Sequence, residues 1–137
     1  MELRSAAFED AVSNGDRTAL LRALDEHVVF RSPVMEKPYH GADQVGQLVD
    51  ALTESLAEFR YTAKFRAASD TENVAPEAEI LVFEARVGGK ALTGIDLLTF
   101  DAAGAITELT VLVRPLPAAM TLARVVGAKM LELESRT

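Results

Sequence analysis

Asp96 is the side chain best placed to do chemistry in this sequence. It lies in Lys90–Phe100, where alternation sets it on the same side as Leu98 and Phe100. A carboxylate facing apolar neighbours loses hydration, so its pKa rises unless donors compensate, and a neutral acid can donate a hydrogen bond or a proton to a ligand oxygen. Glu84 shares parity with Ile80 and Val82, which makes it a candidate second pocket carboxylate and acid–base partner of Asp96; its neighbour Arg86 argues for the rim instead. Ser32, just before Pro33, is either a ligand contact or a turn former. His40 follows Tyr39 in a loop, where it could shuttle protons at a pocket mouth or simply face water. His27, beside Asp25 and Glu26, reads as solvated.

Other chemistries find little support. The 137 residues include no Cys and two His, so thiolate nucleophiles, disulfides and a transition-metal centre are not expected. No Gly-rich loop follows a strand and opens a helix, and no Ser-centred nucleophile elbow appears. Fourteen Lys and Arg against 21 Asp and Glu give a net charge of −7, with no basic cluster to track phosphates; nucleic acid is not an expected partner. Hydrophobic residues make up 49% and charged residues 26%, which excludes a disordered chain. No apolar run reaches the roughly 18 residues of a membrane span, and MELRSAAFEDAV is not a secretory signal; the expectation is a soluble cytoplasmic protein without a cofactor.

The elements that must position these groups follow from periodicity. Leu3, Phe8, Ala11 and Val12 predict a helix over about 3–14, stopped by Asn14-Gly15. Asp16 caps a short second helix bearing Leu20 and Leu24. His27–Ser32 reads as a strand entering the loop Pro33–Gly41, and Val45, Leu48, Val49, Leu52 and Leu56 mark a third helix. Alternation of Phe59, Tyr61, Ala63, Phe65 and Ala67 predicts one long strand, with Tyr61 and Phe65 packing in the sheet. A polar loop covers Ser69–Pro76. Glu77–Val87 and Lys90–Phe100 form a hairpin about Gly88-Gly89, and Ile106–Val113 is the last strand. Leu122, Val126, Met130 and Leu133 share one face of a helix over 118–134, which Gly127 weakens by about 1 kcal/mol relative to Ala. The whole is a single α+β domain over 1–137.

Phe8 with Gly15-Asp16, Val29-Phe30-Arg31-Ser32-Pro33-Val34 before a loop ending at Gly41, and Ile95-Asp96-Leu97-Leu98-Thr99-Phe100 running to Ile106 stand in an order that resembles the nuclear transport factor 2-like superfamily. That superfamily includes the SnoaL-like polyketide cyclases and the ketosteroid isomerases. The resemblance spans about residues 3–117, leaving the C-terminal helix outside it. It implies a cone-shaped, curved antiparallel sheet wrapped around the N-terminal helices, a cystatin-like fold, with a deep pocket of roughly 300–1,000 Å³. Phe8, Ser32, Glu84, Asp96, Leu98 and Val111 are the expected ligand contacts, and Asp96 the candidate catalytic acid.

Ketosteroid isomerases pair a protonated aspartic acid with a tyrosine and a separate base. Here Asp96 matches the acid, but Ser32 stands at the base position and Phe8, eight positions before Asp16, at the tyrosine position. Steroid isomerisation is therefore not expected. The resemblance implies a small apolar ligand with a polar oxygen, either bound or transformed by a cofactor-independent isomerase, cyclase or hydratase. The alternative is a non-catalytic dimeric module. A homodimer through the outer sheet face is expected, because Glu108, Thr110, Leu112 and Arg114 form a mixed face opposite Leu109, Val111 and Val113.

Overall fold

Residues 3–68 and 77–135 are described by the computed structural model. The predicted loop Ser69–Pro76 lies outside the described residues, as does the side chain of Leu133. Helix α1 (Ala6–Asn14) ends at Gly15, and α2 (Arg17–Ala23) starts at Asp16, whose carboxylate accepts from the Ala19 amide at 3.1 Å. The chain then runs through β1 (Leu24–Arg31), β2 (Tyr39–His40), α3 (Ala42–Ser55), β3 (Ala57–Arg66), β4 (Glu77–Val87), β5 (Lys90–Phe100), β6 (Ile106–Arg114) and α4 (Leu116–Ser135).

The strands form one curved, unclosed sheet in the order β2-β1-β6-β5-β4-β3. Every pairing is antiparallel except β1 with β6. Gly88 and Gly89, with φ of 52° and 79°, close the two-residue turn that fixes Val87 opposite Lys90. From that turn the register places Leu81 beside Asp96 and Glu84 beside Thr93. Residues paired across a ladder share a face, so Asp96 faces the side of Leu81 and Phe83, and Glu84 the other side.

The concave face carries the core. Leu81, Phe83, Leu98, Leu109 and Val111 from the sheet meet Phe8 and Ala11 of α1, Val45, Leu48 and Val49 of α3, and Leu122 of α4. Strand β3 departs from the single alternation read in its sequence. A register shift between Tyr61 and Ala63 turns the strand over, so Tyr61 pairs with Phe83 on the concave face while Phe65 pairs with Ile80 on the convex face, 56% exposed.

Candidate functional site

Asp96 projects from the middle of β5 onto the concave face and is only 7% exposed. The Tyr61 hydroxyl donates to its Oδ2 at 2.9 Å. Burial pushes the Asp96 carboxyl up to about 7, and the Tyr61 hydrogen bond, which favours the charged form, offsets part of that rise. Tyr61 is displaced upward as well, first by burial and then by the neighbouring carboxylate. Tyr61 therefore keeps its proton and donates at neutral pH, and Asp96 holds a proton far more readily than an ordinary carboxyl group.

A ring cluster aims the phenol. Tyr61 meets Phe59 edge to face at 5.0 Å between centroids, and Phe83 closes a triangle with them, 5.0 Å from Phe59 and 6.5 Å from Tyr61. Phe83 can lie there because Gly94 has no side chain; a Cβ at that position would come within 2.8 Å of both Cε atoms of the ring. Around the pair is a chamber of about 40 Å³ walled by Phe8, Phe30, Phe59, Phe83, Leu109 and Val111, with Thr53, Tyr61 and Asp96 as its polar side chains. That volume holds a few atoms at most, far below the roughly 300–1,000 Å³ of a pocket that engulfs a whole ligand. A second, outer cavity of about 190 Å³ lies between α3, α4 and the loop after β1 and shares Phe30, Leu52 and Leu122 with the chamber.

The expected contacts separate into groups. Phe8, Asp96 and Val111 line the chamber. Leu98 is fully buried in the core and does not line it. Ser32 lines the outer cavity, where its Oγ accepts from the Val34 and Met35 amides at 3.1 Å each, so it also makes the turn. Glu84 requires correction: it lies on the convex face, 3.0 Å from Arg60, because its apolar parity mates Ile80 and Val82 belong to that face too. His40 is exposed and borders neither cavity, and His27 is exposed beside Glu26.

Two residues carry more than their sequence suggested. Tyr61 was expected merely to pack, and it is the hydrogen-bond donor to Asp96. Among the described residues Glu79 is the other buried carboxylate of the concave face, 2% exposed. It accepts from the Arg4 and Ser5 amides at 2.9 and 2.8 Å, with Arg66 at 3.3 Å, and so ties the start of α1 to β4. Burial acts to raise its pKa, but these donors outweigh it and hold the group below its ordinary value. Among the described residues no three His, Asp or Glu side chains gather as a metal ligand set, and no helix is long and apolar enough to cross a membrane.

Comparison with known proteins agrees with this architecture. The profile of the SnoaL-like domain matches residues 5–109. A crystal structure of a steroid delta-isomerase from Pseudomonas aeruginosa superposes with a TM-score of 0.83 at 30% identity, covering 98% of this chain and 97% of that one. An uncharacterised protein with a cystatin-like fold from Silicibacter pomeroyi also gives 0.83, at 25% identity, with 96% and 87% covered. A protein assigned as a SnoaL-like polyketide cyclase from Shewanella denitrificans shares the fold at 15% identity, TM-score 0.62, with 91% and 95% covered. No curated protein matches the chain.

Proposed function

We propose that this chain, which belongs to the SnoaL-like domain family, binds a small apolar molecule through a single polar oxygen and acts on it by cofactor-independent acid–base chemistry at Asp96. One observation carries the reading: in a chamber walled by hydrocarbon, Tyr61 engages one oxygen of Asp96, and the other is available to hold the proton and present it to a ligand carbonyl or hydroxyl. A carboxyl group near pKa 7 can both give and take a proton at neutral pH, as isomerisation, cyclisation or hydration requires.

The steroid isomerase relative supports the pocket chemistry but not its substrate for this chain. Abstraction of a carbon-bound proton needs a separate base beside the acid, and Ser32 offers only a hydroxyl, already committed to loop amides. Phe8 has no hydroxyl; the phenol beside Asp96 comes from β3 instead. The test is carbon-13 carboxyl titration of Asp96 together with an assay for steroid isomerase turnover. A midpoint near 7 and no turnover are expected. A midpoint near 4 would remove the acid from the reading, and appreciable turnover would mean that another residue supplies the base.

A second reading, a dimeric binding module, is favoured by the convex face. Phe65 and Leu112 are 56% and 51% exposed there, on the face that also carries Ile80, Val82 and Ile95, an apolar surface that association would cover. Sedimentation should give a homodimer at tens of micromolar, and Leu112→Glu should shift it to monomer. A wild-type monomer at that concentration contradicts this second reading.

A further inference from the structure

The inner chamber and the outer cavity are unequal in both size and chemistry. The chamber holds the polar pair but has room for only a ligand's head, at about 40 Å³. The outer cavity, at about 190 Å³, is nearly five times larger and is walled mainly by hydrocarbon and thioether side chains, Met35, Val126 and Met130 among them. Its polar side chains are few: Ser32, whose Oγ accepts from the Val34 and Met35 amides, and Tyr39, whose ring packs edge to face on Phe30. Phe30, Leu52 and Leu122 border both spaces, so the two adjoin one another.

Gly127 supplies an independent observation. It lies well inside α4, where glycine weakens a helix, and nothing comes within 4 Å of the position its Cβ would take. No close approach demands a glycine there. What the missing side chain does is leave the α4 wall of the outer cavity open. At the opposite rim Val34 and Met35 stand 41% and 55% exposed, apolar side chains that a bound hydrocarbon would cover.

We infer that the outer cavity is a tail site, and that the ligand is an elongated amphiphile: an aliphatic chain ending in one carbonyl or hydroxyl oxygen, its head beside Tyr61 and Asp96 and its tail between α3, α4 and the loop after β1. This deepens the proposed function and rests on it for the head group. Met35 and Met130 suit such a tail, because flexible thioethers adapt to chains of differing shape.

The probe is a homologous series of 2-alkanones, from 2-butanone to 2-undecanone, titrated calorimetrically into the whole protein. Affinity should rise about fourfold per added methylene until the outer cavity is full. Gly127→Leu and Val34→Phe, which fill the cavity from opposite walls, should each flatten that slope and leave 2-butanone unchanged, with thermal unfolding confirming that both variants are folded. Asp96→Leu should instead weaken every member by a common factor of about 2–10, the worth of one hydrogen bond, and keep the slope. An affinity independent of chain length, or a slope that survives both filling variants, overturns the tail site. A slope that persists while Asp96→Leu changes nothing overturns the head-group reading and leaves the tail site standing. Failure of every alkanone to bind overturns both.

Discussion

Asp96 and Glu79 are two carboxylates on adjacent strands, both facing the concave side and both nearly closed to solvent, at 7% and 2% exposure. Their chemistry diverges. Glu79 is surrounded by donors from two backbone amides and an arginine and is held below its ordinary pKa; Asp96 has the Tyr61 phenol and is pushed up to about 7. Asp96 lies deeper and has one donor, whereas Glu79 lies nearer the surface and has several; the two differences act together to separate an acid that anchors a helix from one that can hold a proton.

The largest effect expected from testing this contrast is at Glu79. Glu79→Ala strips the amides and Arg66 of their acceptor and should cost on the order of 3 kcal/mol in urea unfolding. Because its folded pKa lies below its unfolded one, the stability from Glu79 is present above about pH 4.3 and is lost as pH falls through the lower folded value. A loss under 1 kcal/mol would erase the contrast.

Asp96→Asn should act in the opposite direction. The unfolded carboxyl ionises near pH 3.9 while the folded one stays neutral until about 7, so wild type loses stability relative to the variant as pH climbs between those values. The variant should therefore match wild type near pH 4 and exceed it by a margin that grows with pH up to about 7 and then levels off, as read from paired denaturation curves. A variant less stable than wild type at pH 8 would make Asp96 a structural anchor like Glu79.

Tyr61→Phe sharpens the comparison with a smaller change, on the order of 1 kcal/mol. Removing the donor takes away the interaction that favours the charged form, so the Asp96 midpoint should move upward in carboxyl titration. A downward shift would show that the phenol does not act on the carboxylate as its 2.9 Å contact implies. The smallest effect is at the third acid: Glu84→Gln breaks an exposed pair with Arg60 and should change stability by less than about 0.5 kcal/mol, with alkanone affinity untouched. A loss of affinity there would bring the convex face into the site.

The inward side of β5 was legible, because Asp96 alternates with Leu98 and Phe100. On β4 the pattern was ambiguous: Ile80 and Val82 are as apolar as Leu81 and Phe83, so composition alone could not choose a face for Glu84. The information was nevertheless in the sequence. Counting outward from the Gly88-Gly89 turn pairs Leu81 with Asp96 and sets Glu84 on the opposite side, which also puts Glu79 on the inner one. The contact between Tyr61 and Asp96 was not legible, because it spans two strand pairings and a register shift at Thr62 that no local propensity announces. Ser32 shows a related limit, since a sequence position matched to a family's base does not state which of two neighbouring cavities the side chain borders.

The single parallel pairing also governs the order in which the molecule can assemble. Strands β3 to β6 pair with their sequence neighbours and can form a sheet as soon as they leave the ribosome, but β1 must wait for β6, roughly 80 residues later, before it has its long ladder partner. Helix α4 follows later still, bringing Leu122 to the boundary of the two cavities. The chamber therefore has its complete wall only once α4 has docked and brought Leu122 into place.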